Sequence, residues 1–515
     1  MDRLYQTESS DSPFYIDEKK SMTALQSFIT KTSKLRITTF GGYRTRMWLL
    51  MFFADLAGIL LAVFLSHLFN GERFNFLFYS PNEFEHTLSI AIRILLFVFS
   101  RLYPGIGINP AEEIKLVVRY SIITFFITIM TISIIRPNSP DIFTTPLYIL
   151  IVSIVTILLM RWSVRILATQ ARIWGEPVVV LARGSQIDYL TRYFSTRGRL
   201  GFVPILAVTD SSGKKVFTNP VPVIDLQHLI TDLPTKNVET ILIDATFFGR
   251  NLTDNSYKKL NHMFKHVIFV SDMSWLEGAS LAVRDFEGLT GIEAHKDKLS
   301  PPSSIFKRGM DIFGSIFGVL LLSPFLVIIS ILIKLDSPGP VIYSQERITI
   351  DRRQKKRPGK HQHKVYIYKF RTMHLNAEQA LAEYLAKNPE AQLEWEQNQK
   401  LYNDPRITRV GKWLRKFSID EIPQVINVLK GEMSLVGPRP LPSYHHELLS
   451  SDGNKVRDSV RPGLTGLWQI SGRSHVGTIE MERLDSFYVH NWSPWLDIYI
   501  ILRTIWVVLS RDGAY

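Results

Sequence analysis

The sequence predicts a membrane protein in which an α-helical bundle of four spans precedes an α/β domain and a mainly α-helical domain. The first third contains apolar runs close to the length that a spanning helix requires, about 20 residues. The middle third changes to short β-branched runs separated by helical or turn-rich segments, which is typical of βαβ units. The last third combines one long apolar run with charged motifs, so we expect a membrane-embedded helix within it.

The composition narrows the class of protein. The chain has 515 residues, of which 46% are hydrophobic and 21% charged, and this mixture argues against a disordered chain and against a purely soluble enzyme. Lys and Arg outnumber Asp and Glu by 60 to 47, a surplus that suits nucleic acid, an anionic membrane face or phosphate-bearing substrates. The absence of cysteine excludes disulfides, thiolate catalysis and Cys-ligated zinc.

Residues 46–172 carry the four predicted spans, which are Met47–Phe69, Leu88–Tyr103, Leu116–Ile135 and Ile142–Met160. The second run is short for a span and contains Arg93, and the first run contains Asp55. Charged side chains inside membrane helices usually face neighbouring helices. We therefore expect Arg93 and Asp55 to form a structural pair rather than a catalytic one.

Charged residues outside the spans predict their orientation. Basic residues precede the first span and follow the fourth; they are Lys31, Lys34, Arg36, Arg44, Arg46, Arg161, Arg165 and Arg172. The loop after the first span holds Glu72, Glu83 and Glu85 against Arg73. The positive-inside rule then puts both ends of the bundle in the cytoplasm. Residues 1–45 lack the pattern of a signal peptide and are predicted to form a polar, partly disordered cytoplasmic tail.

Residues 173–300 are predicted to form a Rossmann-like cytoplasmic domain with a parallel sheet. Its predicted strands are Val178–Leu181, Ile205–Val208, Ile241–Ile243 and Val267–Val270. A dinucleotide site would need Gly-x-Gly-x-x-Gly after the first strand, and only Gly184 stands there. We expect a structural or regulatory domain without a redox cofactor.

The apolar run Ile312–Leu335 is long enough to span a membrane but has Ser323-Pro324 at its middle. Pro324 frees the carbonyl of Leu320, which a serine hydroxyl can help to satisfy. Basic residues lie on both sides of the run, so a crossing helix would put one basic group on the outer face. We predict a re-entrant hairpin over residues 304–336; the alternative is a Pro-kinked fifth span.

Three segments of residues 303–515 have open interpretations. The basic segment Asp351–Lys364 is either a lipid-binding surface or a solvated hairpin tip. Asn376–Lys400 has the composition of a solvated helical insertion. Ser493–Leu509 is predicted to be an amphipathic helix at the membrane interface, with a core helix as the alternative.

Asp420-Glu421 is the candidate reactive pair. Ser418 and Glu421 fit a helix capping box, yet a cap at Ser418 would put Pro423 where its missing N–H is needed. A helix that begins nearer Asp420 leaves an ionised carboxylate at a helix N-terminus, able to act as a nucleophile or a metal ligand. Five basic residues belong to motifs around this pair and suggest phosphoryl transfer with a hard cation: Lys369, Arg371, Arg415, Arg439 and Arg473.

Residues from about 303 to 515 resemble the bacterial sugar transferases that move a sugar-1-phosphate from a nucleotide diphosphate sugar onto polyprenyl phosphate. The motifs KFRTM, SIDEIPQ, GEMSLVGPRP and RPGLTGLWQISGR stand in the order of that family, and the four-span start with LYPGIGINPAEEI and the terminal RDGAY resemble its long form. The likeness covers almost the whole chain except the tail.

The resemblance implies roles for individual residues. It makes Asp420 the nucleophile, Glu421 a catalytic Mg²⁺ ligand, and Ser323-Pro324 the break of the re-entrant helix. It makes Lys369, Arg415, Arg439 and Arg473 contacts to the diphosphate or substrate, and Arg371 joins them as a candidate substrate-binding residue.

The resemblance also implies substrates and a setting. The donor is a UDP-sugar, with galactose favoured and glucose open, the acceptor is undecaprenyl phosphate, and UMP is released. The reaction opens O-antigen, capsule or exopolysaccharide synthesis at the bacterial cytoplasmic membrane, with the catalytic domain facing the cytoplasm. Membrane lipid and a second copy in a homodimer are the other expected partners, and nucleic acid is not expected.

Two other classes of protein compete with this interpretation. A membrane-anchored nucleotide-sugar dehydratase would need an intact glycine motif and a Tyr-x-x-x-Lys pair, and Tyr257 is followed four residues later by Asn261. A non-enzymatic scaffold for polysaccharide assembly would use the acidic pair as helix caps. Loss of UMP release on substitution of Asp420 would separate the transferase from both alternatives.

Overall fold

The computed structural model describes residues 42–69, 81–100, 102–137, 142–209, 221–226, 229, 238–245, 254–270, 280–286, 289–295, 301–350, 362–398, 401, 404–441, 449–471 and 477–510. The chain divides into two compact units, Met1–Asp272 and Met273–Tyr515, and each is described by itself. The domain limits drawn from the sequence stay predictions.

The first unit begins with apolar helices, as the sequence predicted. They are α1 (Tyr43–Phe69), α2 (Pro81–Phe99), α3 (Pro110–Ile135) and α4 (Thr144–Gln170). In length and composition α1, α3 and α4 can each cross a membrane, whereas the apolar part of α2, Thr87–Phe99, is shorter. The chain is thus a membrane protein in which the second predicted span is the short one.

A buried ion cluster joins three of these helices. Arg161 of α4 donates from Nε to Asp55 Oδ1 of α1 at 2.6 Å and from Nη1 to Glu113 Oε1 of α3 at 2.6 Å. Arg165 donates to the same Glu113, and Tyr103 Oη donates to Asp55 Oδ2 at 2.6 Å. Two cations balance two carboxylates, so each buried charge has an opposite partner and the cluster acts as a structural staple.

Arg93 has a different partner from the predicted Asp55. Its Nη1 donates to Ser153 Oγ of α4 at 2.6 Å, while Asp55 is paired with Arg161. The prediction that both charges face neighbouring helices is confirmed, but a pairing of Arg93 with Asp55 is wrong. The reason is that Arg161, which the sequence places at the end of a span, lies fully inside the bundle with 1% of its surface exposed.

A parallel five-stranded sheet follows in the first unit. Its strands are β1 (Glu176–Leu181), β2 (Phe202–Thr209), β3 (Val223–Asp225), β4 (Thr240–Asp244) and β5 (His266–Val270), in the order β3-β2-β1-β4-β5. The helices α5 (Ser185–Thr196) and α6 (Asp254–Met263) belong to the same region. Successive residues of β1, such as Val179 and Val180, enter separate apolar clusters. The sheet is therefore buried on both faces, which explains the continuous β-branched runs.

The second unit combines helices with short sheets. Its helices are α7 (Pro301–Asp336), α8 (Ala377–Lys387), α9 (Pro389–Asn398), α10 (Arg409–Lys416), α11 (Val425–Lys430), α12 (Ser451–Asp458), α13 (Thr478–His490) and α14 (Pro494–Ser510). Its strands are the antiparallel pairs β6 (Ser280–Phe286) with β7 (Leu289–His295) and β8 (Ile342–Ile350) with β9 (Gln362–Phe370), and the parallel pair β10 (Ser434–Val436) with β11 (Gly463–Thr465).

Helix α7 runs without interruption through Ser323-Pro324, and its middle is apolar and exposed. Ser323 Oγ donates to the carbonyl of Leu320 at 2.8 Å, which is the carbonyl that Pro324 leaves without a backbone donor. The expected role of the serine is confirmed. The break between two helices that the sequence suggested is not seen, because the serine keeps the turn helical.

Both ends of α7 contact other helices of the same unit. Near its start, Lys307 Nζ donates to Asp497 Oδ2 of α14 at 2.7 Å and Arg308 Nη1 donates to the carbonyl of Val428 at 2.6 Å. At its end, Asp336 Oδ2 accepts from the backbone N–H of Val410, the second residue of α10, at 3.0 Å. Helices α10 and α11, which hold the two ends, are separated along the chain only by residues 417–424.

Helices α8 and α9 confirm the predicted helical insertion, and α14 has two apolar faces. One face of α14 is core, with Leu496, Ile500 and Val507 at most 5% exposed. Leu502 and Ile505 on the other face are at least half exposed. The core interpretation therefore describes one face of this helix, while the location of the other face at the membrane interface stays a prediction. The centre of the basic segment Asp351–Lys364 lies outside the described residues.

Asn427 joins β9 to α11 through buried hydrogen bonds. Its Oδ1 accepts from the N–H of Tyr368 at 3.1 Å, and its Nδ2 donates to the carbonyl of Tyr366 at 2.8 Å and to Glu432 at 2.7 Å. Asn427→Ala leaves these buried groups unpaired, and we expect a loss of about 1–3 kcal/mol in the free energy of unfolding. Thermal unfolding of the purified protein measures it. Asn376→Ala, at a helix start whose side chain makes no capping bond, is the matched control.

Candidate active site

The acidic pair lies on a short 3₁₀ helix, Ile419–Gln424, between α10 and α11. Ser418 precedes it with φ of 54°, in the left-handed region, and its side chain makes no capping hydrogen bond. The capping box considered from the sequence is therefore wrong. An N-cap residue usually has an extended backbone, whereas Ser418 has a left-handed one. Pro423 fits inside this short helix, which puts Asp420 and Glu421 in its first turn.

Two cations hold Glu421. Arg439 donates from Nη1 to Oε2 at 3.0 Å and from Nη2 to Oε1, and Lys369 Nζ donates to Oε1 at 2.8 Å. Burial acts to raise the pKa of Glu421, but the charges of Arg439 and Lys369 outweigh it and hold that pKa well below its usual range. Glu421 is therefore ionised at neutral pH and fixes the positions of both cations.

Asp420 stands in contrast to its neighbour. Its carboxylate is partly buried, and no described residue donates a side-chain hydrogen bond to it. Burial and then the negative charge of Glu421 raise the pKa of Asp420, while Lys369, Arg415 and Arg439 oppose the rise. The sequence predicted a carboxylate that is ionised at neutral pH; burial and the adjacent acid act against that ionisation, and the cations favour it. A carboxylate with uncommitted lone pairs, surrounded by cations, is suited to nucleophilic attack on an anionic phosphorus.

Arg415 completes the positive side of the site. Its Nε donates to Thr372 Oγ1 of the KFRTM motif at 2.9 Å, which joins the end of α10 to the segment after β9. Its charge acts on Asp420 and lowers the pKa of that carboxyl. The remaining guanidinium donors have no acceptor among the described residues and can meet a substrate oxygen.

Two further features position Arg439. The N–H of Gly437 donates to the carbonyl of Thr465 at 2.9 Å, and a Cβ at Gly437 would lie 2.6 Å from the carbonyl oxygen of Arg461. Only glycine allows the GPRP segment to approach the RPGLTG segment this closely. Arg457 Nη2 in turn donates to the carbonyl of Arg439 at 2.6 Å. These contacts fix the backbone from which the Arg439 side chain reaches Glu421.

Arg371 lies elsewhere in the structure. Its guanidinium donates to the carbonyls of Ser337 at 2.6 Å and Pro338 at 2.7 Å, just past the end of α7, and the residue is 6% exposed. Helix ends leave carbonyls without partners, and arginine satisfies them here. The structure thus joins Arg371 to the membrane helix and not to the acidic pair. Arg473 lies outside the described residues, so its predicted contact stays a prediction.

The residues present are compatible with the predicted Mg²⁺. The described residues contain no group of three acidic or histidine side chains that could hold a metal. Mg²⁺ commonly uses only one or two carboxylates together with substrate phosphates. Glu421 Oε2 accepts only from Arg439 Nη1 among the described donors, and Asp420 accepts from none, so both retain lone pairs for a cation.

Sequence reasoning missed several residues that support the site. Thr372, Asn427 and Arg457 orient Arg415, β9 and Arg439 respectively. Each is a polar residue inside or near a recognised motif, and that position was the available signal. Their partners are distant in the chain, and no local pattern indicates them.

The pH dependence of the reaction tests the charges around Asp420. A nucleophilic Asp420 acts when deprotonated, so activity rises with pH through its pKa. Arg415→Met removes a cation that lowers this pKa, and we expect the acidic limb of the pH–rate profile to move to higher pH. Arg409→Met, an exposed change at the other end of α10, should leave the limb in place. A limb that stays fixed or moves to lower pH in Arg415→Met contradicts the assignment.

Comparison with known proteins identifies the class. The family model of the bacterial sugar transferases matches residues 302–511. The chain is 36% identical over 354 residues to an undecaprenyl-phosphate galactose phosphotransferase of Salmonella typhimurium, covering 67% of this chain and 70% of that protein. It is 34% identical over 362 residues to a UDP-galactose-lipid carrier transferase of Erwinia amylovora, covering 69% and 72%.

A third relative is named for a different sugar. The UDP-glucose:undecaprenyl-phosphate glucose-1-phosphate transferase of Escherichia coli is 32% identical over 303 residues, covering 56% of this chain and 59% of that protein. Together these matches confirm the prediction that the chain is a phosphotransferase enzyme. The chain belongs to the bacterial sugar transferase family.

Proposed function

We propose that this enzyme transfers a sugar-1-phosphate from a UDP-sugar to undecaprenyl phosphate and releases UMP. The observation that carries the proposal is the asymmetry of the acidic pair. Glu421 is neutralised by Lys369 and Arg439, whereas Asp420 beside it has no donor among the described residues. The relatives named for sugar and undecaprenyl-phosphate transfer support the same reaction.

The transfer is a double displacement. A carboxylate oxygen of Asp420 attacks the β-phosphorus of the UDP-sugar, and the bond from that phosphorus to the bridging oxygen breaks, so that UMP leaves with the electron pair. The phosphate oxygen of undecaprenyl phosphate then attacks the same phosphorus. The Asp420 oxygen leaves as carboxylate, and the product is a lipid diphosphosugar. No net proton transfer is needed, which agrees with a site built from cations.

The basic side chains provide charge stabilisation. Arg439 and Lys369, held in place by Glu421, face the space where the diphosphate charge develops, and Arg415 adds a third cation near Asp420. Glu421 would hold Mg²⁺, which when bound would neutralise charge on the diphosphate. We propose Arg473 as a further substrate contact, and this role rests on the family resemblance alone.

Galactose is the favoured sugar, because two relatives with galactose in their names match over two thirds of this chain or more. Glucose is the second candidate, favoured by the Escherichia coli relative. Both sugars fit synthesis of O-antigen, capsule or exopolysaccharide as the process served. The non-enzymatic scaffold and the dehydratase lose support, since the chain is a member of a transferase family.

The setting we propose is the bacterial cytoplasmic membrane, with the catalytic unit facing the cytoplasm. The contacts of both ends of α7 with α10, α11 and α14 support a re-entrant helix, because a crossing helix would separate its ends by the hydrocarbon core of about 30 Å. The exposed apolar middle of α7, with Leu320 and Leu321 about two-thirds exposed, would then lie in the bilayer. We further propose that the enzyme forms a homodimer and that the five-stranded sheet belongs to a Rossmann-like domain.

A donor screen tests the proposed function. Purified full-length protein in lipid nanodiscs is given undecaprenyl phosphate and, separately, UDP-galactose, UDP-glucose and their N-acetyl relatives. We expect UMP release and a lipid diphosphosugar with one preferred donor, and we expect galactose to be that donor. UMP release with none of the donors would overturn the proposed function, and a preference for UDP-glucose would replace the favoured sugar with the second candidate.

A further inference from the structure

A buried acid in the second unit takes no part in the reaction steps described above. Asp485 lies on α13 with 1% of its surface exposed. Arg457 of α12 donates from Nη1 to Asp485 Oδ2, whereas the buried Oδ1 has no hydrogen-bond partner among the described residues. A buried carboxylate with one oxygen left unbonded is costly to keep, and such a group in a folded protein warrants a functional explanation.

The arginine that bonds this acid also reaches the active site. While Nη1 of Arg457 bonds Asp485, its Nη2 donates to the carbonyl of Arg439 at 2.6 Å. Arg457 is 7% exposed, so its charge is largely removed from water and depends on Asp485 for neutralisation. The planar guanidinium holds its donors in a fixed geometry. The position of Asp485 therefore determines where the second donor points.

The backbone around Arg439 has few other hydrogen bonds available. Pro438 and Pro440 flank it, and neither has an N–H to donate. The carbonyl before Arg439 accepts from the N–H of Gly463 at 2.8 Å, and the carbonyl of Arg439 itself accepts from Arg457. Loss of the contact with Arg457 would thus release one of the two points that hold this residue.

We propose that Asp485 is a positioning residue, which acts through Arg457 to place the guanidinium of Arg439 at the reacting diphosphate. The inference rests on the proposed function and adds to it a residue that contacts neither the substrate nor the acidic pair. By neutralising Arg457, Asp485 keeps a donor of that arginine on the Arg439 carbonyl, and Arg439 in turn bonds Glu421. The competing role is a purely structural one, in which Asp485 only joins α13 to α12.

Removing the charge of Asp485 tests the inference. Asp485→Asn is nearly isosteric but leaves Arg457 as a buried cation without its counter-charge. We expect the release of UMP in the first turnover to slow about 10–100-fold, the effect of displacing a contact at a reaction centre from a distance. Glu482→Gln is the matched control and should keep the full rate, because Glu482 lies one turn earlier on α13 and bonds Ser450 at the start of α12.

A double variant separates positioning from stability. Asp485→Asn combined with Arg457→Met removes both buried charges and replaces the arginine with an apolar side chain. We expect it to unfold at a higher temperature than Asp485→Asn and yet to stay as slow, because the carbonyl of Arg439 has lost its donor. A rate that recovers with the unfolding temperature would overturn the inference and leave Asp485 a structural role. A rate lowered by the product of the two single effects would show independent action and overturn it as well.

The pH–rate profile gives a second readout. Burial raises the pKa of Asp485 to about 7, although the charge of Arg457 opposes the rise. As the pH falls through this value the carboxylate is protonated and no longer neutralises Arg457, so the unmodified enzyme should lose rate there. Asp485→Asn should show no step at this pH, while the acidic limb of Asp420 is common to both proteins. The rate comparisons above are therefore made at a pH above this value.

The other ionisable groups around Asp485 do not produce the same result. Burial raises the pKa of Tyr488, one turn along α13, well above its usual range. The short helix Trp468–Ile470, which also packs on α13, has no ionisable side chain. His490 at the end of α13 is unchanged in Asp485→Asn. A step that persists in this variant would therefore belong to another group and contradict the inference.

All rates are measured on the full-length protein in lipid nanodiscs, with the donor that the screen above selects. Unaltered UMP release by Asp485→Asn overturns the inference and leaves the proposed function intact. Absence of UMP release from the unmodified enzyme would instead refute the proposed function, so the two failures are distinguishable.

Discussion

Asp420→Asn should abolish both the release of UMP in the first turnover and the overall transfer. We expect the rate to fall at least about 10⁴-fold, because substitution of a nucleophile removes the covalent route itself. The amide has nearly the shape of the carboxylate, and no described residue donates a side-chain hydrogen bond to Asp420, so the fold has no contact to lose there. The measurement is UMP released per enzyme in the first turnover. Incubation with labelled UDP-sugar should leave label on the unmodified protein and none on the variant.

The control for this variant is Asp452→Asn. The Asp452 side chain is 74% exposed and, among the described residues, pairs with Lys455 one turn away, so the change removes one negative charge at little cost. We expect full activity from it. Equal UMP release by Asp420→Asn and Asp452→Asn would reject Asp420 as the nucleophile.

Glu421→Gln should lower the rate on the order of 10²–10³-fold, the cost of losing a preorganised charged contact at a reaction centre. The reason is that Arg439 and Lys369 lose the charged acceptor that fixes them. The same change removes a negative charge that raises the pKa of Asp420, so the acidic limb of the pH–rate profile should move to lower pH. In this variant the rate falls and the acidic limb moves to lower pH, whereas in Arg415→Met the acidic limb moves to higher pH.

A pH–rate profile of the first turnover measures both effects of Glu421→Gln. Glu480→Gln, which affects a partly exposed pair with Arg483, is the control and should change neither quantity. Thermal unfolding of each variant shows whether the loss of rate comes from loss of the fold. A reduced rate with an acidic limb that moves to higher pH would contradict the assignment of Glu421 as the ionised neighbour.

The membrane helices and the parallel strands could be predicted from sequence because their signals are local. The four strands predicted around Val178, Ile205, Ile241 and Val267 all form, and the short strand Val223–Asp225 was missed because three residues carry too little pattern. The serine that satisfies the Leu320 carbonyl was also predictable, since donor and acceptor are three residues apart. Signals of this kind depend on neighbours in the chain.

The basic residues of the motifs could not be sorted in the same way. Lys369 and Arg371 stand two residues apart in one motif, yet Lys369 bonds Glu421 and Arg371 binds carbonyls that follow α7. Their roles depend on where β9 ends relative to a helix more than thirty residues earlier in the chain. Neither composition nor motif spacing indicates how close the end of β9 lies to the end of α7 in the folded chain.

The sequence by itself determined which side chains are available for the chemistry: an adjacent Asp and Glu, and a set of arginines and lysines in motifs of a recognisable family. Only the tertiary structure decided which acid is paired. Glu421 is bonded by two cations, and Asp420 has no side-chain hydrogen-bond donor among the described residues. The physical reason is that two adjacent carboxylates of similar intrinsic acidity become different when the fold brings cations from positions 18 and 52 residues away to one of them. Burial of the other then makes its reactivity depend on the same cations.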